Sequence, residues 1–227
     1  MWVVIPVKDL DAAKQRLAGV LDAEERRALY AAMLEDVLHA VVSAHGYDEV
    51  ALVTRDTTAI TFANKYGFKV IDDRDNAGHT EAVNLAIAHL RDLDVGGMMT
   101  FPGDIPLVTA GEISTLLAAH LDSCGTRPGM TMAPSRDKRG SNAVACTPPD
   151  AVPLRFGSDS FFPHLATARA NDIEPNVMEL AGFGLDIDTP DDLMLLAATV
   201  GTTRTHGFLA RSGIQARLAS QSANVVA

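Results

Sequence analysis

Residues 98–108, reading MMTFPGDIPLV, constrain the fold more than any other stretch of this chain. An apolar run that breaks into Pro-Gly reads as a buried strand that stops abruptly. Pro102 has no N–H to give a sheet ladder, and Gly103 lets the backbone turn or approach a ligand closely. Asp104 then stands just past the carboxyl end of a central strand, the edge where open α/β sheets bind ligands. A carboxylate there suits a hard cation such as Mg²⁺. Asp after Gly is equally at home as a plain turn residue, and these eleven residues do not choose between the two.

The remainder alternates strand and helix. Trp2–Val7 reads as a buried strand, and a helix follows over 22–44, with Asp22 and Glu25 as a capping box and Leu29, Met33, Val37 and Val41 as an apolar stripe. Strands at 49–54 and 68–71 flank a helix over 56–66. A helix starting near Thr80 precedes the central strand, and another, capped by Thr109 and Glu112, follows it. Strands are expected at 129–134, 142–146, 176–180 and 184–187, with a helix ending near Asn171 between the middle pair. Such alternation implies a mostly parallel sheet with helices on both faces. Residues 1–200 read as a single domain, and the Ser/Thr/Ala-rich stretch over 201–227 as a poorly ordered tail.

Composition narrows the function classes. The net charge of −10 disfavours a nucleic-acid surface, although a mononucleotide needs only local cations. The two cysteines, Cys124 and Cys146, form no CxxC pair, so reduced thiols in the cytoplasm are expected. No apolar run approaches the ~20 residues of a membrane span, and MWVVIPVKDL lacks the marks of a signal peptide.

Several segments carry candidate chemistry. The loop over 8–19 follows the first strand and holds Lys8, Lys14 and Arg16, which fits phosphate binding, although Asp9 and Asp11 also make it a plausible solvated loop. It is not a Walker A loop. The 72–84 segment places Gly78 at a helix start, with His79, Thr80 and Asn84 able to face a ligand; taken locally, a capped helix with a polar first turn explains it better. Ser160 follows Phe156-Gly157-Ser158-Asp159, an anion nest or an ordinary N-cap. In Asp186-Ile187-Asp188 the carboxylates point to one side of an extended chain and can share a cation. Thr189-Pro190 then opens a helix, where Asp191 and Asp192 suit the positive N-terminal dipole.

IPVK, AKQRL, PGDIPL, APSRDKRGSNA, FGSDSF with His164 three residues on, and LDIDTPDDL occur in this order over nearly the whole chain. Together they resemble the CofC/FbiD guanylyltransferases of coenzyme F420 biosynthesis. The resemblance implies a Rossmann-like nucleotidyltransferase fold, a three-layer α/β/α sandwich. It implies transfer of GMP from GTP to 2-phospho-L-lactate, phosphoenolpyruvate or 3-phospho-D-glycerate, with pyrophosphate released. Asp104, Asp186 and Asp188 would then bind Mg²⁺, or Mn²⁺ in its place. Lys8, Lys14 and Arg16 would meet the triphosphate, with Gly78, Asn84 and Asp104 also at the nucleotide. Lys8, Lys14 and Asp104 would carry the catalysis, and Ser141, Gly157 and Ser160 would contact the phospho-acid. No nucleic acid or membrane partner is implied, and a homodimer is left open. Lys138, Arg139, His79 and Thr80 depart from the family's usual residues, which leaves the acceptor undefined. A metal-dependent glycosyltransferase and a non-catalytic nucleotide-binding regulator are the rival readings.

Overall fold

Seven strands form a single sheet in the order β3-β2-β1-β4-β6-β5-β7 in this computed structural model, which describes residues 1–218. The strands are β1 (Trp2–Pro6), β2 (Glu49–Val53), β3 (Lys69–Ile71), β4 (Met98–Thr100), β5 (Gly129–Pro134), β6 (Ser141–Thr147) and β7 (Asn176–Val177). The helices are α1 (Ala23–Val42), α2 (Thr57–Tyr66), α3 (His79–Asp92), α4 (Ala110–Cys124), α5 (Phe161–Ala170), α6 (Pro190–Ala198) and α7 (Arg204–Arg211).

The strands are apolar on both faces because helices cover both. Val3 and Ile5 of β1 pack in one core with α1, α2, α4, α6 and α7, while Val4 packs in a second core with α3 and α5. The same alternation holds in β2, where Val50 and Leu52 face the first core and Ala51 and Val53 the second. Both capping boxes expected at Asp22–Glu25 and Thr109–Glu112 are formed, and Thr189 makes a third with Asp192.

β1, β2, β3 and β4 run parallel, but β6 is antiparallel to both β4 and β5. The reversal matters for function. It brings the first residues of β6, not its last, to the carboxyl edge of β1 and β4.

Two expectations are corrected. Residues 184–187 form no strand; Gly184 sits at a bend, and Ile187 N–H donates to the carbonyl of Asp104 at 3.1 Å. The 201–227 stretch is not a tail over its described part. Thr203 caps α7, Thr205, Leu209, Ile214 and Leu218 are buried, and Asp36 of α1 accepts from Arg204 N, Thr205 N and Thr205 Oγ1 at 2.7–2.8 Å. The rest of the expected tail, 219–227, lies outside the described residues.

Candidate active site

The carboxyl edge of β1 and β4 opens into a cleft of about 1300 Å³. Val7 and Lys8 leave β1 there, Asp104 follows β4, Ser141 and Asn142 begin β6, and Gly78 opens α3. The 184–189 segment and the 154–160 loop close its sides.

The Pro-Gly-Asp turn sits hard against α1. A Cβ on Gly103 would lie 2.9 Å from Leu34 Cδ1, so any larger residue would make Leu34 shift. The bond from Ile187 N to the Asp104 carbonyl then ties the 184–189 segment to this turn, which is how carboxylates some eighty residues apart come to share one site.

Lys14 is the cation at their centre. Its Nζ donates to Asp104 Oδ2 and, at 2.8 Å, to Asp188 Oδ1, and it lies 5.6 Å from the centre of the Tyr30 ring. The Lys14 side chain is only 4% exposed. Burial alone would favour the neutral amine, but the charges of Asp104 and Asp188 outweigh it and hold Lys14 above the ordinary lysine range. Lys14 reaches this place from a left-handed backbone with φ 56°, a conformation that costs a non-glycine residue about 1 kcal/mol. Strain kept in this way is characteristic of functional sites. Arg16 stands outside, 68% exposed, with Nη1 3.9 Å from Asp188 Oδ2. Lys8 lines the cleft from the exposed end of β1.

Asp186 is held differently. Asn142 Nδ2 donates to its Oδ1 at 3.0 Å and to the Phe183 carbonyl at 2.8 Å. Burial, and then the nearby charge of Asp104, raise the Asp186 carboxyl above the usual range, while Asp188, although burial opposes it, is drawn below that range by Lys14.

The expected cage of three aspartates is therefore corrected. Among the described residues no three His, Cys, Asp or Glu side chains are grouped as metal ligands. Asp188 faces Lys14 and Arg16 instead. A divalent cation nevertheless fits beside Asp104 and Asp186. Asp104 Oδ1 is buried with no hydrogen-bond partner, and Asp186 carries negative charge that its neighbours disfavour. Two hard oxygen donors of this kind, completed by substrate phosphates, suit Mg²⁺ or Mn²⁺.

The other half of the cleft is built from hydroxyls. Ser141 N–H donates to Ser160 Oγ at 3.1 Å, so Ser160 fastens the start of β6 rather than capping α5 through its side chain. Ser141 Oγ lies 2.9 Å from His164 Nδ1. Thr80 Oγ1 accepts from Phe156 N at 3.0 Å and donates to Phe156 O at 3.3 Å, joining α3 to the 154–160 loop. The rings of His79 and His164 meet that of Phe156 edge to face, with centroids 4.5 and 5.2 Å away.

Of the residues singled out from sequence, Lys8, Lys14, Arg16, Gly78, Asp104, Ser141, Gly157, Ser160, Asp186 and Asp188 all line the cleft. Asn84 does not. It lies beyond the first turn of α3 and is exposed, because Ala82 and Val83 occupy the face turned to the core. Gly157 lines the cleft without steric need of its own, since a Cβ there meets nothing within 4 Å. Sequence reasoning passed over Tyr30 and Asn142, whose partners are distant in the chain.

A mixed sheet thus lies between helical layers, with acidic groups and a buried lysine at its carboxyl edge. The chain belongs to the family described as "Guanylyl transferase CofC like", whose pattern it matches over residues 1–226, and it is accordingly an enzyme of the nucleotidyltransferase class. It is 34% identical to the phosphoenolpyruvate guanylyltransferase of Conexibacter woesei, over 92% of this chain and 94% of that one. It is 32% identical to the 3-phospho-D-glycerate guanylyltransferase of Colwellia psychrerythraea, over 86% and 90%. It is 30% identical to the 2-phospho-L-lactate guanylyltransferase of Methanothermobacter thermautotrophicus, over 84% and 81%. The fold is similar to that of a cytidylyltransferase from Leptospira borgpetersenii, with a TM-score of 0.56, 11% identity and 94% of each chain covered.

Proposed function

We propose that this enzyme transfers GMP from GTP to a three-carbon phospho-acid and releases pyrophosphate, as a cytoplasmic step of coenzyme F420 biosynthesis. Phosphoenolpyruvate is the first acceptor to test, because relatives named for it include the one at 34% identity. The observation that carries the reading is the lining of one cleft by Lys14, Asp104 and Asp186 together with Ser141 and Ser160.

The chemistry needs charge control more than a protein nucleophile. The acceptor's phosphate is already an anion, and one of its oxygens attacks the α-phosphorus of GTP as the bond to pyrophosphate breaks. Lys8, Lys14 and Arg16 offset the triphosphate charge, and Ser141, Ser160 and the backbone at Gly157 orient the acceptor. Asp104 and Asp186 would hold Mg²⁺ or Mn²⁺, which supplies Lewis-acid neutralisation of phosphate oxygens. No general base is required.

The test is pyrophosphate release with GTP against phosphoenolpyruvate, 3-phospho-D-glycerate and 2-phospho-L-lactate in turn, with ATP in parallel. Turnover with GTP and one phospho-acid is expected. Equal turnover with ATP would remove the guanylyl assignment, and none with any acceptor would remove the reading.

A further inference from the structure

The hydrogen bonds around His164 fix which way the proton on Ser141 points. Arg155 N–H lies 2.9 Å from His164 Nε2. A backbone N–H only donates, so Nε2 carries no proton. A neutral imidazole then bears its single proton on Nδ1. Nδ1 is 2.9 Å from Ser141 Oγ, so this N–H donates and Ser141 accepts. His164 is 2% exposed, and its burial lowers its pKa to about 4, which keeps the ring neutral near pH 7. Ser141 Oγ has no other partner among the described residues, and Ser141 lines the cleft.

We propose that His164 is a positioning residue for the acceptor: by donating to Ser141 Oγ it obliges Ser141 to present its hydroxyl proton to the cleft. That side of the cleft then selects an atom that only accepts, such as a phosphate or carboxylate oxygen. A substrate hydroxyl, which seeks an acceptor, is disfavoured there. Ser160 is set in the same sense, because its Oγ accepts from Ser141 N–H and its own proton is left to point elsewhere. The identification of the anion as a phospho-acid rests on the function proposed above; the direction of the proton does not.

A purely structural role would also be served by the bond to Arg155, which anchors the 154–160 loop. Two substitutions separate these roles. His164→Asn places an amide N–H near the position of Nδ1 and gives up the bond to Arg155. His164→Gln places a carbonyl near the position of Nε2 and gives up the donor to Ser141. The experiment measures phosphoenolpyruvate binding by calorimetry, with inorganic phosphate as a second probe, alongside the KM of each substrate. His164→Gln is expected to weaken phosphoenolpyruvate binding and raise its KM about tenfold, the factor of one lost hydrogen bond to a charged group, with the GTP KM unchanged. His164→Asn recovers most of that loss. In a Ser141→Ala background His164→Gln has no further effect.

Nitrogen-15 spectra of the wild type should show Nδ1 protonated and Nε2 bare. The reverse tautomer overturns the inference. So does a loss confined to His164→Asn, which would assign the residue to loop anchoring alone. A wild type that binds neither phosphoenolpyruvate nor phosphate overturns it as well. Binding of phosphoenolpyruvate without pyrophosphate release with any acceptor would instead sink the proposed reaction and leave the inference standing.

Discussion

Lys14 Nζ stands 2.8 Å from Asp188 Oδ1 while donating to Asp104 as well, so one buried ammonium does the work expected of a metal ion between carboxylates. Lys14→Met removes that ammonium and strands Asp104, whose side chain is 17% exposed. Breaking a buried pair from one side is costly, and a loss of about 2–3 kcal/mol is expected in urea unfolding. Turnover should fall on the order of a hundredfold. Millimolar Mg²⁺ should raise the Tm of Lys14→Met more than that of the wild type, because Asp104, which would hold the ion together with Asp186, then lacks its ammonium partner. Equal shifts in the two proteins would count against these carboxylates as a cation site.

Asp186 gives a pH dependence of definite sign. Its carboxyl is raised above the ordinary value by burial and by Asp104, so the folded state holds this proton more tightly than the unfolded chain. The stability from that proton is present at low pH and is lost as pH rises through the raised value. Asp186→Asn keeps an oxygen for Asn142 and removes the charge. It should therefore raise the Tm at pH 7, with the gain shrinking toward about pH 3–4, while turnover falls. Thermal melts across this range decide it, and a variant less stable than wild type at pH 7 would contradict the electrostatics.

Gly157→Ala separates folding from function. The added Cβ meets nothing within 4 Å, so Tm should hold to within about 2 °C. If the acceptor approaches the backbone here, the acceptor KM rises several-fold and the GTP KM does not. A rise in the GTP KM alone would place Gly157 in the other half of the site.

Asp36 tests the attachment of α7. It is 8% exposed, and its carboxylate accepts two backbone N–H groups and the Thr205 hydroxyl. Asp36→Ala leaves those donors unmet, and a loss of about 2–4 kcal/mol is expected. KM values measured well below the lowered Tm should be unchanged. A loss under about 0.5 kcal/mol would mean that solvent replaces the carboxylate.

The parts of this molecule legible from sequence are those that short-range chemistry decides. The capping boxes at Asp22, Thr109 and Thr189, the end of β4 at Pro102 and the cluster of cations after β1 all follow from neighbours within a few residues. Strand direction was not legible at β6. Its residues are buried on both faces, so an apolar run carries no sign of whether the strand is parallel or reversed. Residues 184–187 alternate polar and apolar like a strand, yet Ile187 N–H donates to the carbonyl of Asp104, past the end of β4, and joins no ladder among the described residues. The bridge from Lys14 spans 90 positions to Asp104 and 174 to Asp188, a distance at which no local pattern reports. α7 was missed for the same reason. Its composition reads as a linker, and its stabilising carboxylate lies on another helix.

The bond between Asp36 and Arg204 also bears on how the chain is made. These residues are 168 positions apart, and the ribosome delivers them in that order. Domains of a growing chain commonly fold from the N-terminal side as they emerge. Here α1 is synthesised early, but Asp36 has no donors, and the face met by Leu209 has no cover, until α7 follows. The first helix of the chain is thus among the last parts to be finished. A nascent chain stalled before Thr203 carries a sheet already able to form beside a helix still open to chaperones and proteases.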